Sequence, residues 1–363
     1  MPHPERVLMG PGPSNPYPEA TEAFSRPLLG HLDPVFLDLL DETCDRLRQV
    51  WRTGNQLTLP VSGTGSAGME AAFVNLVGPG DAVVIGVNGL FGERMCDVAA
   101  RCGAEVVRVE ESWGLPLVPE HLAGAHPNPK LVAAVHAETS TGVRNDIPAI
   151  ADAVHQSGDA LVLADCVTSL GGIPVEIDEW GVDVAYAGTQ KCLGVAPGLA
   201  PFTMSDRARD RRIAKPQSWY LDLGMIAQYA ATAGARKYHH TAPVAMIMSL
   251  HAGLGAVLDE GLENVQRRHA ACGELLHQGL EAMGLELFAA PGHRLPELTT
   301  VWVPDGADDA KVRRTLLDDY DIEIGGGVGA FAGRVWRIGC MGHTARRANV
   351  ILLLAALSEI LDR

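Results

Sequence analysis

The sequence predicts an α/β protein: a large domain with a mainly parallel, seven-stranded sheet flanked by helices, followed by a smaller carboxyl-terminal α+β domain. Two observations carry this prediction. Through the first two thirds of the chain, apolar runs of strand length alternate with helical patterns, as in a parallel sheet covered by helices on both faces. From residue 262 onward, a long amphipathic helical pattern and short strand-like runs replace that alternation.

The elements follow in chain order. The seven strand-like runs of the large domain occupy residues 57–61, 82–87, 105–109, 131–136, 160–164, 182–187 and 199–204. Helical patterns stand between several of them, at 67–77, 93–101 and 147–156. In the carboxyl-terminal part we expect short strands at 285–288, 299–303, 323–324 and 335–338, and a closing helix at 345–361.

These patterns divide the chain into three parts. Pro and Gly crowd the first residues, notably in Gly10-Pro11-Gly12-Pro13, so residues 1–21 are predicted to form an extended arm and not a core element. Residues 22–258 are predicted to form the large domain, and residues 259–363 the small one. Arms of this kind often lie against a partner subunit.

The charge balance and the cysteines narrow the function. The 363 residues contain 29 Lys and Arg against 44 Asp and Glu, a net charge of -15, which repels phosphate backbones and anionic lipid surfaces. We therefore expect no nucleic-acid and no membrane partner. The chain has no signal-peptide pattern, and no run approaches the roughly 18 apolar residues of a membrane span. Its seven Cys, without a CxxC pair, are expected to be reduced thiols of a cytoplasmic protein.

A glycine-rich turn is predicted between the first large-domain strand and the next helix. Residues 61–68, Val-Ser-Gly-Thr-Gly-Ser-Ala-Gly, contain the pattern Gly-x-Gly-x-x-Gly. Free backbone N–H groups at the positive end of a helix bind phosphate. A dinucleotide site also needs a carboxylate at the tip of the next strand, but that strand ends in Val87-Asn88-Gly89. The turn therefore favours a cofactor with a single phosphate over NAD, and a turn without a ligand is the alternative.

Two further strands end in residues suited to cofactor chemistry. Asp165 follows the run at 160–164, and Lys191 follows the run at 182–187. A buried carboxylate can hold a pyridine nitrogen in its protonated form, although Asp also caps loops. A lysine at the end of an apolar strand is costly to bury as a cation, which lowers its pKa and favours an amine nucleophile. The alternative is a structural lysine, whose aliphatic part packs against apolar residues while its ammonium group is in contact with water.

An arginine and a histidine pair complete the candidates. Arg337 lies in the strand-like run at 335–338, and a planar guanidinium grips a carboxylate through two hydrogen bonds, as selection of amino and 2-oxo acids requires. An ordinary surface arginine is the alternative. His239 and His240 are adjacent, and neighbouring side chains of an extended segment point in opposite directions. We therefore predict no metal site.

Together these residues resemble the class V aminotransferases of fold type I, which depend on pyridoxal 5′-phosphate (PLP), and within them the alanine–glyoxylate and serine–glyoxylate enzymes. The resemblance runs from residue 10 to about residue 342. The motifs that carry it occur in the family's order and are GPGPSN, SGTGS, MEAA, NG-x-FG, H-x-ETSTGV, ADCVTSLGG, DEWGVDVAYAGTQK, YHHT and RIG-x-MG.

The resemblance implies a role for each motif residue. Lys191 would carry PLP as a Schiff base, and Asp165 would pair with its ring nitrogen. The other implied contacts are Thr64, Gly65, Ser66 and Gln190 with the phosphate, Phe91, Ser140 and Val167 with the ring, Arg337 and Gly12 with the substrate, and Tyr238 and Thr241 of a neighbouring subunit with the phosphate. The implied protein is a homodimer with active sites at the subunit interface, and its substrates are small amino and 2-oxo acids.

The implied reaction transfers the amino group of alanine or serine to glyoxylate, giving glycine and pyruvate or hydroxypyruvate. Phe91 and Ser66 depart from the alanine–glyoxylate enzymes, which carry Trp and His there. Residues 178–183 look closer to the serine–glyoxylate enzymes and residues 238–241 to the alanine–glyoxylate ones, so both donors stay open. The alternatives are an aminoethylphosphonate or pyridoxamine–pyruvate transaminase, a desulfurase-like lyase using Cys340, a dehydrogenase, and a catalytically silent relative.

Overall fold

The computed structural model describes residues 4–230 and 235–362. Within them, the strands are β1 Val7–Leu8, β2 Leu57–Ser62, β3 Ala82–Val87, β4 Glu105–Glu110, β5 Leu131–Val135, β6 Ala137–Glu138, β7 Val143–Arg144, β8 Leu161–Asp165, β9 Val184–Tyr186, β10 Leu199–Met204, β11 Leu298–Trp302, β12 Ile322–Glu323, β13 Gly325–Gly326 and β14 Val335–Gly339. The helices are α1 Pro18–Phe24, α2 Pro34–Trp51, α3 Gly65–Leu76, α4 Leu90–Arg101, α5 Pro119–Gly124, α6 Ile147–Ser157, α7 Asp206–Asp210, α8 Leu223–Ala230, α9 Val244–Glu260, α10 Leu262–Ala282, α11 Asp309–Tyr320 and α12 Arg347–Leu361.

A seven-stranded sheet with the order β2-β10-β9-β8-β5-β3-β4 forms the centre of the large domain. Strand β10 is antiparallel to both of its neighbours, and the other neighbouring pairs are parallel. Every position of β5, β8, β9 and β10 is buried, as expected for strands covered on both faces. All seven predicted strands are present, and the predicted fold class is confirmed.

The carboxyl-terminal part has its own antiparallel sheet, in the order β11-β14-β13. Helices α10, α11 and α12 pack on it around a separate apolar core that includes the fully buried Trp336. The strand predicted at 285–288 is reduced to one bridge, between Leu287 and Val301. Its pairing ends because the chain turns away at Ala290, whose N–H donates to Gly114 O (2.9 Å).

The N-terminal segment is part of the folded core. Strand β1 pairs in parallel with β12, and Met9 is fully buried in the carboxyl-terminal core. The prediction that this segment is not a core element is therefore wrong for Met9. Proline and glycine prevent a regular helix there, but they do not prevent an apolar side chain between them from being buried. The domain limits 1–21, 22–258 and 259–363 stay predictions.

In the described residues, no helix combines the length and the apolar composition needed to cross a membrane.

Candidate active site

Asp165 ends β8 at the carboxyl edge of the sheet, where it is buried. Its Oδ1 accepts a hydrogen bond from Val167 N (2.8 Å), and its Oδ2 accepts one from the Tyr186 hydroxyl (2.9 Å). Burial raises the pKa of Asp165 to about 6, although both hydrogen bonds act in the opposite direction. The carboxyl is thus held in a fixed orientation in a place that disfavours an unpaired charge.

Lys191 lies in the turn after β9, and its amine contacts the N-terminal segment. The amine donates a hydrogen bond to Pro11 O, and a side chain at Gly12 would collide with the lysine. Burial lowers the pKa of Lys191 to about 8; the positive charge of Arg337 lowers it further, whereas Asp165 raises it. The amine therefore lies beside the Gly12 backbone, and its charge interacts with that of Asp165; the region around these three residues is called the pocket below.

The glycine-rich turn lies against Val167, in the loop that follows Asp165. Thr64 is the N-cap of α3, and the first N–H groups of a helix have no partner within it. Gly65 has no room for a side chain, since a Cβ there would lie 2.6 Å from Val167 Cγ2. Gln190 Oε1 is buried with no hydrogen-bond partner in the described residues, and it would lie 3.0 Å from a Cβ on Gly188. The turn therefore presents free backbone donors, and the nearby amide oxygen of Gln190 is an acceptor without a partner in the described residues.

Ser66 and Phe91 both contact the Arg94 side chain. Ser66 Oγ accepts a hydrogen bond from Arg94 Nη1 (3.2 Å), and the Arg94 guanidinium lies 4.8 Å from the centroid of the Phe91 ring. The guanidinium thus links the α3 turn to the first turn of α4. Its position gives Ser66 a cationic neighbour from α4.

Ser140 lies in the turn between β6 and β7 and is tied to α4. Its Oγ accepts a hydrogen bond from Leu90 N (3.0 Å) and donates one to Glu138 Oε1 (2.6 Å). Glu138 Oε2 accepts from Phe91 N (3.2 Å). Helix α4 therefore begins at Leu90, earlier than the predicted residue 93, because side chains distant in sequence satisfy its first amides.

Arg337 reaches the pocket from β14 of the carboxyl-terminal part. Its Nε donates to Gly326 O (2.8 Å) and its Nη1 to Thr139 O (3.4 Å). Burial lowers the pKa of Arg337, and the negative charge of Glu138 opposes this shift. Because both hydrogen bonds go to backbone carbonyl oxygens, the orientation of the guanidinium is fixed by neutral groups.

Tyr238 and Thr241 lie on the surface of the chain. The Tyr238 side chain is 58% exposed, its hydroxyl is 3.4 Å from Thr241 Oγ1, and its ring lies 5.4 Å from that of His31. Within residues 4–230 and 235–362, neither side chain forms a hydrogen bond with Lys191 or with the α3 turn.

The adjacent histidines face one another. His239 Nδ1 and His240 Nδ1 are 2.7 Å apart, and His240 Nε2 is 2.9 Å from Ser62 Oγ. The expectation that the two rings point in opposite directions is wrong, because the chain bends at His240 instead of continuing as a strand. In the described part of the chain, no group of three or more His, Cys, Asp or Glu side chains could hold a metal ion.

Cys340 and Asn88 are the residues on which the desulfurase and dehydrogenase alternatives depend. Cys340 is fully buried in the carboxyl-terminal core, and burial raises the pKa of its thiol; a desulfurase nucleophile needs an accessible thiolate on a mobile loop. Asn88, at the tip of β3, donates to Leu115 O (2.8 Å) and to Asn145 Oδ1 (2.9 Å). Both side chains are thus engaged in packing or hydrogen bonding within the fold.

Three pocket residues were missed by the sequence analysis: Tyr186, Glu138 and Arg94. The alternation of β9 places Tyr186 beside Asp165 in register, so the pairing of the two strands would have indicated it. Arg94 follows Phe91 by one turn of α4, a spacing that predicts a shared face. The residues around Glu138 give no local indication of its role, because that role depends on a contact between two segments distant in sequence.

Comparison with known proteins identifies the family. The family model described as "Aminotransferase class-V" matches residues 28–341. The alanine–glyoxylate aminotransferase of Callithrix jacchus is 40% identical over 368 residues, covering 99% of this chain and 88% of that protein. The crystal structure of the alanine–glyoxylate aminotransferase from Nostoc sp. is 46% identical with a TM-score of 0.95, over 99% of this chain and 96% of that one.

The structure of ureidoglycine–glyoxylate aminotransferase from Bacillus subtilis is 39% identical, with a TM-score of 0.96 over 100% of this chain and 94% of that one. A family model spanning most of the chain and relatives of about 40% identity over its full length lead to the same assignment. The chain belongs to the class V aminotransferases.

Proposed function

We propose that this enzyme uses PLP to transfer the amino group of alanine or serine to glyoxylate, producing glycine and either pyruvate or hydroxypyruvate. The observation that carries the proposal is the half-buried Lys191 side chain, whose amine has a pKa lowered to about 8 and interacts electrostatically with the buried Asp165 carboxyl. The glyoxylate enzymes among the relatives support the acceptor.

The residues of the pocket fit PLP. The free N–H groups at the start of α3 suit a phosphate, and the NH₂ group of Gln190 is a further donor. The Asp165 carboxyl suits a protonated pyridine nitrogen. Phe91 and Val167 offer apolar surfaces for a planar ring. We therefore assign Thr64, Gly65, Ser66 and Gln190 to the phosphate, and Phe91, Ser140, Asp165 and Val167 to the ring.

When bound, PLP supplies a conjugated ring that takes up electron density from the amino acid Cα. Lys191 Nζ would accept the Cα proton and deliver it to C4′, the cofactor carbon on the other side of the amino nitrogen, because a lysine with a pKa near 8 is neutral far more often than one at its ordinary value of about 10.4. Asp165 keeps a proton at the ring nitrogen. Arg337 binds the substrate carboxylate, and the Gly12 backbone leaves space beside the amine.

Lys191→Ala tests the central assignment. We expect loss of turnover and loss of the borohydride-reducible chromophore, whereas Lys311→Ala, an exposed lysine of α11, should retain both. The measurement is the absorbance spectrum of the holoenzyme before and after borohydride, together with initial rates on alanine and glyoxylate. A fully active Lys191→Ala enzyme contradicts the proposal.

The donor is separated from its alternatives by half-reactions. Purified holoenzyme is mixed with alanine, serine, ureidoglycine or aminoethylphosphonate, and the loss of the cofactor absorbance is followed. We expect the fastest conversion with alanine or serine. Sulfide release from cysteine would instead favour a desulfurase-like lyase, and faster conversion by pyridoxamine with pyruvate would favour a pyridoxamine-using enzyme.

We also propose a homodimer in which Tyr238 and Thr241 of each subunit reach the phosphate site of the other. Their exposed position supports this, as do the neighbouring exposed apolar side chains Leu28, Leu32, Val35, Trp219 and Tyr220. A mixed dimer of Lys191→Ala and Tyr238→Ala/Thr241→Ala subunits would contain one intact site. Recovery of activity on mixing, beyond either parent, is expected. No recovery despite subunit exchange contradicts the shared site.

The seven cysteines are free thiols in the structure, which supports the proposal of a reducing, cytoplasmic location. Fractionation of producing cells would test it, and recovery of the protein outside the cytoplasm would contradict it.

A further inference from the structure

Glu138 is a fully buried carboxyl in the pocket, and the proposed reaction assigns it no part. Three donors converge on it. Oε1 accepts from Ser140 N (3.0 Å) and Ser140 Oγ (2.6 Å), and Oε2 accepts from Phe91 N (3.2 Å). One carboxyl therefore joins the turn between β6 and β7 to the first turn of α4.

We infer that Glu138 is a positioning residue, which holds the Phe91 ring and the Ser140 hydroxyl at the places from which they contact the cofactor. The inference rests on the proposed function, because both side chains are assigned there to the PLP ring. Glu138 is also linked to the substrate side of the site. The backbone carbonyl of Thr139, which lies between Glu138 and Ser140 in the chain, accepts the hydrogen bond from Arg337 Nη1.

The geometry requires a carboxylate and not merely a polar side chain. Each oxygen of Glu138 faces a different element, and every group that approaches it is a donor. A glutamine has only one acceptor oxygen, so its NH₂ would face either Phe91 N–H or the donors of Ser140. Two donors lie on the Ser140 side, so the amide oxygen is expected to stay there and the Phe91 N–H to lose its acceptor.

Burial raises the pKa of Glu138 to about 7, although the hydrogen bonds from Ser140 and Phe91 oppose this shift, and two neighbouring features favour its charged form. The positive end of α4 favours a negative charge at its first turn, and the charge of Glu138 acts favourably on Arg337. Gly89 is also required, because a Cβ at that position would overlap the Glu138 side chain and approach Ser140 Oγ. The backbone of Gly89 is extended (φ 176°), so the requirement for glycine there is one of space.

Glu138→Gln tests the inference, with Glu297→Gln as the matched control. Glu297 is also fully buried, but neither of its carboxylate oxygens has a partner in the described residues. Loss of a hydrogen bond to a charged group predicts that Glu138→Gln binds PLP at least about 10-fold more weakly than wild type. Glu297→Gln should keep the wild-type affinity. PLP is titrated into the apoprotein and followed by its fluorescence and circular dichroism.

A double variant separates positioning from a general loss of structure. If Glu138 acts by anchoring the α4 turn, Glu138→Gln should weaken PLP binding by less than about 3-fold when Phe91 is already Leu. The circular dichroism band of bound PLP should change in Glu138→Gln and not in Glu297→Gln. Independent, multiplicative losses in the double variant would overturn the inference.

An unchanged PLP affinity and spectrum in Glu138→Gln would also overturn it. If that variant does not fold, Gly89→Ala displaces the same carboxyl without changing its charge, and we expect the same loss of PLP affinity; a wild-type affinity in Gly89→Ala then overturns the inference. Failure of the wild-type protein itself to bind PLP would refute the proposed function instead, so the two failures are distinguishable.

Discussion

Glu297 offers a stability test that can be worked from the structure. Its carboxyl is fully buried, and neither oxygen has a hydrogen-bond partner in the described residues. It lies beside Cys192, the neighbour of Lys191: a Cβ on Gly172 would meet both Cys192 Sγ (2.6 Å) and Glu297 Cβ (3.5 Å). Burial raises the pKa of Glu297 to about 8. The carboxyl is therefore expected to be protonated in the folded protein at neutral pH.

The sign of the pH dependence follows from this shift. The folded-state pKa lies above the unfolded value of about 4.3, so the folded protein binds the extra proton between these two values. The free energy of unfolding then falls as pH rises through that range. A shift of about 4 units corresponds to about 5 kcal/mol in total, of which roughly 4 kcal/mol is lost by pH 7. These free energies are upper limits, because water entering the site would lower the cost of burying the charged carboxylate.

Glu297→Gln removes the ionisable group while keeping its shape. At pH 5 the variant should be more stable than wild type by only about 1 kcal/mol, and at pH 8 by several kcal/mol. Urea unfolding of the apoprotein at constant protein concentration, followed by circular dichroism between pH 5 and pH 8, measures this difference. If the stability difference between Glu297→Gln and wild type is the same at pH 5 and pH 8, the pKa of Glu297 is not raised in the folded protein and the reasoning is refuted.

Three substitutions test the pocket itself. Gly65→Ala would place a methyl group against Val167, so PLP affinity should fall about 10-fold or more and the urea midpoint should fall as well; an unaffected PLP titration would mean that the turn does not hold the phosphate. Tyr186→Phe removes a donor to the Asp165 carboxylate, which should raise the pKa of Asp165 further above its usual range and cost about 1 kcal/mol. A titration of the apoprotein by carboxyl-detected NMR would show the shift, and a lower pKa would contradict it. Arg337→Lys keeps the charge but loses the planar fork, so KM for amino and 2-oxo acids should rise about 10-fold or more with a smaller change in kcat; an unchanged KM assigns the carboxylate to another residue.

The central sheet was predictable because its signal is local. Each strand is an unbroken apolar run bounded by turn residues, and the strands of a parallel sheet are buried on both faces. The polar residues at the ends of β8 and β9 could also be identified, because a carboxylate or an amine directly after such a run stands out against its surroundings. Asp165 and Lys191 are both of this kind.

What escaped prediction depends on contacts between distant segments. Nothing around Met9 indicates that it enters the core of the carboxyl-terminal part, since the pairing of β1 with β12 joins the two ends of the chain. The early start of α4 at Leu90 likewise follows from the Ser140 hydroxyl, which accepts its first N–H. The bend that turns His239 toward His240 has no local signature in the residue types.

The N-terminal segment connects the carboxyl-terminal part of the fold to the turn that carries Lys191, so both parts contribute to the surroundings of its amine. At one end, β1 is hydrogen-bonded to β12. At the other, Ser14 N donates to Gln190 O (2.9 Å) and Ser14 Oγ donates to Lys191 O (2.8 Å). Pro11, whose carbonyl accepts from the amine, lies between these two attachments. The carboxyl-terminal part therefore cannot move relative to the sheet without straining or breaking bonds on one side of Pro11. Because Arg337, which lowers the pKa of Lys191, comes from the same carboxyl-terminal part, the basicity of the amine depends on how closely the two parts are held together.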